Sequence, residues 1–112
     1  MGEAYRNLGQ SFPAANTLTT LYTVPALTSA IVSSIIVCNA SGSNGNTDSF
    51  RISIAVAGTG DTLAQYIYYD IDIDQQDTFI ATVGLTLATT DIIRVHSLNG
   101  HCTFAAWGTQ IT

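Results

Sequence analysis

Apolar residues at every second position, turn-forming residues between the apolar runs, and the lack of any sustained helical stripe predict an all-β chain. The expected fold is a single antiparallel β-sandwich, jelly-roll-like, of about eight short strands. With 112 residues the chain makes one domain of ordinary size, residues 1–112, able to bury a core of its own. A closed barrel is the alternative architecture. Strands are expected near residues 4–9, 17–24, 30–38, 49–56, 64–73, 77–82, 91–97 and 101–107.

The first dozen residues, 1–12, read either as an opening strand or as an N-terminal arm that leaves the sandwich to hold a neighbour. Pro13 and Pro25 interrupt the ladder and bound the second strand. The next run, AIVSSIIVC, is apolar on both faces, with Ile31, Ile35 and Val37 on one and Val32, Ile36 and Cys38 on the other. It reads as a central strand covered on both sides. SGSNGN, residues 41–46, is a loop. In SFRISIAV, Phe50, Ile52, Ile54 and Val56 alternate with Arg51, Ser53 and Ala55, the pattern of a half-buried strand. AGTGD makes a turn. In the next strand Gln65, Ile67, Tyr69, Ile71 and Ile73 share one face and Tyr66, Tyr68, Asp70, Asp72 and Asp74 the other. Ile93 and Val95 alternate with Ile92, Arg94 and His96, and Cys102, Phe104 and Ala106 with Thr103, Ala105 and Trp107. Between these last two strands, LNG fits a tight hairpin.

The densest charge in the chain is YDIDIDQQD, with Asp70, Asp72, Asp74 and Asp77. A D-x-D-x-D run opens an EF-hand calcium loop, but that loop needs Gly at its sixth position and Glu at its twelfth, where this chain has Gln75 and Ala81. Alternate aspartates on a strand lie roughly 7 Å apart, too far to share one small cation. The run therefore reads as the solvated side of a strand that discourages edge pairing. His96, His101, Cys102 and Cys38 lack zinc-ligand spacing, and a core cysteine with two surface or hairpin histidines is expected. The SGSNG segment, with Ser43, does not satisfy the G-x-S-x-G nucleophile elbow. Gly58 and Gly60 lack the third spaced glycine and the helix of a phosphate cradle. Tyr66, Tyr68 and Tyr69 allow a sugar platform, although aromatics on strands more often serve as core or interface anchors. The expectation is a chain with no enzymatic activity, no cofactor and no metal.

Composition points to assembly instead. The hydrophobic fraction is 46% and the charged fraction 10%, against about 25% charged for an ordinary soluble domain. Lysine is absent, and the basic side chains are Arg6, Arg51 and Arg94. The polar surface must be Thr, Ser, Asn and Gln, whose uncharged groups cost less to bury than ammonium or carboxylate. A net charge of -5 with scattered arginines argues against nucleic-acid binding. The longest apolar run is too short to span a bilayer, the N-terminus does not read as a secretory signal, and synthesis in a cytoplasm with Cys38 and Cys102 reduced is expected.

The segments YRNLGQSFPAANTLTTLYTVPA, TSAIVSSIIVCNAS, FRISIAVAG, YIYYDIDI, DTFIATVGLTLATTDIIRV and FAAWGTQIT, taken in order, resemble small virion structural proteins of tailed bacteriophages. These are capsid decoration, or cement, proteins and related tail-fibre or spike domains. The resemblance implies a sandwich that forms a homo-oligomer, often a homotrimer, on the outer surface of the capsid, with the major capsid protein as partner and the virion as its location. Tyr5, Phe12, Tyr22 and Trp107 are the candidate interface anchors. The alternative is a tail-fibre or spike domain in which the Tyr66, Tyr68 and Asp70 face or the SGSNGN loop contacts host glycans.

Overall fold

The computed structural model describes residues 2–42 and 46–112. Among the described residues there are eight strands: β1 (Glu3–Ser11), β2 (Thr19–Thr23), β3 (Ser29–Asn39), β4 (Asp48–Ala55), β5 (Tyr66–Ile73), β6 (Thr78–Leu87), β7 (Ile92–Ser97) and β8 (Cys102–Ile111). They form two four-stranded antiparallel sheets, a front sheet in the order β1-β8-β3-β6 and a back sheet in the order β2-β7-β4-β5. First and last strands pair, then second and seventh, third and sixth, fourth and fifth. The chain is thus one long hairpin rolled up on itself, closed by the β3–β8 and β4–β7 ladders. This is the jelly-roll connection, which wraps two sheets face to face and leaves β1, β6, β2 and β5 as their edge strands. Of the expected loop over residues 41–46, positions 43–45 lie outside the described residues.

The segment read as a possible arm is an edge strand: β1 pairs with β8 from Glu3↔Ile111 to Ser11↔Phe104. Between the sheets Val32, Ile35, Val37, Phe50, Ile52, Ile93, Val95 and Ala106 are fully buried. Phe50 is the hub, with ring centroids 5.2 Å from Phe79 and 6.3 Å from both Tyr68 and Phe104. Burying a large apolar side chain contributes roughly 1.5–3 kcal/mol, so this aromatic layer is a main source of sheet-to-sheet cohesion.

Simple alternation fails where strands bulge. β3 carries an extra residue, Ser33, between Val32↔Gly108 and Ser34↔Trp107, and β1 carries Leu8 between Asn7↔Trp107 and Gly9↔Ala106. The Ser33 hydroxyl donates to the Trp107 carbonyl at 3.0 Å, which fixes the bulge. One extra residue reverses the faces beyond it, so Val32 and Ile35 both point into the core. β5 bulges twice, at Ile67 and at Tyr69-Asp70, with Asp70 in the left-handed region at φ 53°. Tyr68 therefore packs inward, and Tyr66, Tyr69 and Asp70 stand outside, which corrects the two expected sets. Val56 leaves β4 and sits exposed in a 3-10 turn, Val56–Gly58.

Buried Asx side chains hold the ends of the sandwich. The Asp48 carboxylate, 3% exposed, accepts hydrogen bonds from the Ser49 and Asn99 amides at 2.7 and 2.8 Å on Oδ1. On Oδ2 it accepts from the Ser97 hydroxyl at 2.5 Å, the His101 amide at 3.0 Å and the Cys102 thiol at 3.5 Å. This one carboxylate organises the β7–β8 hairpin, whose Gly100 takes φ +75° as the LNG turn requires. Asp91 likewise accepts from the Ala57 and Ala88 amides at 2.8 and 2.9 Å. Cys38 and Cys102 are free thiols on opposite faces of the front sheet, which alternation alone keeps apart.

Candidate functional site

The two outer faces of the sandwich differ in chemistry. On the front sheet, cross-strand rows run Gln10–Ala105–Ile36–Ile80, Asn7–Trp107–Ser34–Thr82, Thr103–Cys38–Thr78 and Tyr5–Thr109–Ile31–Thr86. None of these residues carries a charge. Ile80 is 63% exposed, Ile31 and Trp107 42% each. A groove of about 410 Å³ lies against Phe12, Ile36, Cys38 and Ala105. A second, of about 450 Å³, lies against Tyr5, Ser33, Trp107 and Thr109, with Arg6 at its margin.

Three of the four expected anchors are available on this side. Tyr5 and Trp107 share the second groove, and Phe12 walls the first. Tyr22 is not available: it is 7% exposed, belongs to the core, and its hydroxyl accepts from the Gln110 amide at 2.7 Å. A bulge between Thr20 and Tyr22 turns it inward, a change that local alternation cannot reveal. The residues that the sequence reading missed are Ile36 and Ile80. The two apolar faces of AIVSSIIVC imply cover on both sides, yet within the described residues the outer side of β3 has no second layer over it.

The back sheet presents a polar and aromatic cluster. Asp70 and Arg51 are joined by Nε–Oδ1 at 2.6 Å and a second contact at 3.3 Å. The hydrogen bond and charge of Arg51 hold the Asp70 carboxyl below its usual value, and Asp70 in turn raises Arg51. The guanidinium carbon lies 4.2 Å from the Tyr69 ring centroid, within cation–π range. Tyr66 and Tyr69 meet edge to face at 5.0 Å and 87°. The Tyr66 hydroxyl donates to Asp61 at 3.1 Å; burial, and then Asp61, push the phenol upward. Arg94 donates to the Thr59 carbonyl at 2.9 Å.

Behind this exposed layer sit two buried polar side chains. His96, expected at the surface, is 6% exposed, and Ser53 is fully buried. His96 faces Arg51 across the ladder, while Ser53 faces Arg94 on one side and Tyr66 on the other. His96 Nε2 donates to Asn16 Oδ1 at 2.9 Å, which leaves Nδ1 as a bare acceptor. Burial, helped by the positive charge of Arg51, lowers the imidazole pKa and keeps it neutral. Neither His96 Nδ1 nor Ser53 Oγ has a hydrogen-bond partner among the described residues.

Of the aspartate run, Asp70 is the ion-pair partner, Asp72 and Asp74 are exposed, and Asp77 caps its own turn by accepting from the Thr78 amide at 2.9 Å. Among the described residues no three His, Cys, Asp or Glu side chains converge as a metal site. Cys102 is buried beside Asp48, and that burial pushes its thiol up to about 12, well outside the range of a nucleophile.

The chain matches no protein-family model and no curated protein. Its surfaces carry the functional reading.

Proposed function

We propose that this chain is a virion assembly subunit, a capsid decoration protein that docks the outer face of its front sheet against sister subunits and the capsid shell. The observation that supports this reading is strand β3. It has apolar side chains on both faces, but the sandwich covers the inner face and leaves Ile31, Ile36 and Cys38 beside the exposed Ile80 and Trp107. Uncharged rows of this kind lose little by desolvation when a partner arrives. The aromatic and isoleucine anchors gain on the order of 2 kcal/mol each when seated in a packed interface. Many such modest clamps repeated over a shell, in homotrimers bridging copies of the major capsid protein, make release of any one unit slow. On this reading the subunit carries out no chemical step and needs no cofactor.

Light scattering behind a sizing column, followed by co-sedimentation with heads stripped of the protein, tests the proposal. The expected result is an oligomer that binds heads in a copy number of the same order as the major capsid protein and restores their heat resistance. Ile80→Asp should abolish both properties without changing the melting midpoint. A concentrated chain that stays monomeric, ignores stripped heads and leaves their heat resistance unaltered would sink the proposal.

A further inference from the structure

We propose that the outer face of the back sheet is a binding site for a neutral saccharide, seated on Tyr69 and the Arg51–Asp70 pair with one hydroxyl reaching Ser53 and His96. The inference does not rest on the assembly reading, because the two use opposite sheets.

The orphan atoms define the ligand. His96 Nδ1 accepts and does not donate, while the Ser53 hydroxyl does either, and both are buried without a partner among the described residues. Through the pairs Arg51↔His96 and Ser53↔Arg94 the two residues are diagonal neighbours on one face of the ladder, so a hydroxyl placed between them would donate to Nδ1 and accept from Ser53 Oγ. A carboxylate or phosphate oxygen does not, since it brings a second acceptor to a ring nitrogen that already is one. A buried polar group left unpaired costs free energy, so the site gains by filling.

The exposed layer agrees. Arg51 and Asp70 offer paired donors and acceptors 2.6 Å apart, the arrangement that grips adjacent hydroxyls of a pyranose. Tyr69, 45% exposed although Arg51 lies over its ring, offers its remaining exposed surface to the apolar C–H side of a sugar. Charges in the cluster balance, with Arg51 and Arg94 against Asp61 and Asp70, and each arginine is already engaged. No excess positive charge remains to draw an anion. Ser53 has Tyr66 and Arg94 as cross-strand neighbours and His96 has Arg51; rotation of Tyr66 admits the ligand while Arg51 stays on Asp70. Tyr69 and Asp70 occupy a β-bulge, a device that re-aims side chains at functional surfaces.

The test uses the intact chain and NMR shift mapping with methyl glycosides of glucose, galactose, mannose, rhamnose, N-acetylglucosamine and N-acetylgalactosamine. N-acetylneuraminic acid and inorganic phosphate serve as charged probes. At least one neutral glycoside should give saturable shifts at residues 51–53, 66–70 and 94–96, with Kd in the millimolar range expected for a single sugar. Tyr69→Ala and Ser53→Ala should each weaken it about tenfold or more, while Ile80→Asp on the other sheet should bind like the parent. Ser53→Ala also separates a ligand site from a structural water. Removing an unpaired hydroxyl should leave the melting midpoint of the free chain unchanged or raised, whereas loss of a water bridge would lower it. Silence towards all neutral glycosides, binding of the charged probes alone, or a Ser53→Ala variant that melts lower and binds sugar as before would each overturn the proposal.

Discussion

Replacing Asp48 by Asn keeps the volume of the side chain and changes its hydrogen-bond inventory. The native carboxylate accepts from three backbone amides, one hydroxyl and one thiol. An amide group presents one oxygen to these donors and turns an NH₂ towards the rest. The least damaging orientation keeps the oxygen on the Ser49 and Asn99 amides, leaving the His101 amide facing another donor. An orphaned buried N–H costs about 1–3 kcal/mol, and two bonds demoted from charge-assisted to neutral lose roughly 1 kcal/mol each. Relief of the charge desolvation offsets part of this. The expected net loss is about 2–4 kcal/mol, which at a urea m-value of about 1.3 kcal/mol/M moves the unfolding midpoint by about 1.5–3 M. Circular dichroism across a urea series at low protein concentration reads it directly. The pH dependence supplies a second check. Burial alone would raise the Asp48 pKa, but the bonds from Ser97, Asn99, His101 and Ser49 prevail and lower it from 3.8. A carboxylate with a lowered folded pKa contributes stability that is full above 3.8 and is lost as pH falls through the folded value. The variant should lack this acid limb. A midpoint shift under about 0.4 M, or an unaltered acid limb, would refute the role given to this carboxylate.

Gly108→Ala should destabilise by about 2–4 kcal/mol, because an added Cβ would stand 2.1 Å from the Ile31 carbonyl oxygen. Gly60→Ala, with nothing within 4 Å, should change the urea midpoint little. A thiol reagent should label Cys38 in the folded chain and Cys102 only on unfolding, as counted by mass spectrometry with and without denaturant. His96 has a lowered pKa, so its neutral form stabilises fully above about 6.5 and less as pH falls from there towards the folded value. Melting midpoints between about pH 7.5 and 5 should decline for the parent and decline less for His96→Gln. Asp72→Asn and addition of EDTA should each leave the thermal midpoint within the equivalent of about 0.5 kcal/mol, as checked by calorimetry.

Strand number, order of elements and the inward sets of β7 and β8 were legible because alternation is a local property and these two strands carry it without interruption opposite each other's sheets. Ile93, Val95, Cys102, Phe104 and Ala106 are all buried as the pattern implies. The reading broke at β3 and β5, where Ser33, Ile67 and Tyr69-Asp70 insert residues that a fixed period of two cannot accommodate. The paired serines in AIVSSIIVC were the available signal, since a hydroxyl tied to the Trp107 carbonyl marks the bulge. Tyr22 failed in the same way, turned inward by the bulge between Thr20 and Tyr22. His96 failed for a different reason: a strand pattern separates two faces but does not say which outward side chains their neighbours bury. The roles of Asp48 and His96 were invisible because Ser97 and His101 lie 49 and 53 positions from Asp48, and Asn16 lies 80 from His96.

The bulges of the front sheet stand side by side at one level. β1 gains a residue at Leu8 and β3 at Ser33, both opposite Trp107, and β6 spends two residues, Val83 and Gly84, where β3 spends one. Only β8 passes this level without an extra residue among the described strands. Descent with modification is therefore constrained here in an unusual way. Deleting Ser33 alone would straighten β3 against β8 and keep Ile35 and Val37 inward, but it would remove the bond to the Trp107 carbonyl and leave Val83 and Gly84 of β6 opposite no residue. A length change in one strand survives only when its neighbours change with it, so insertions and deletions across this sheet should be inherited as linked sets and not singly.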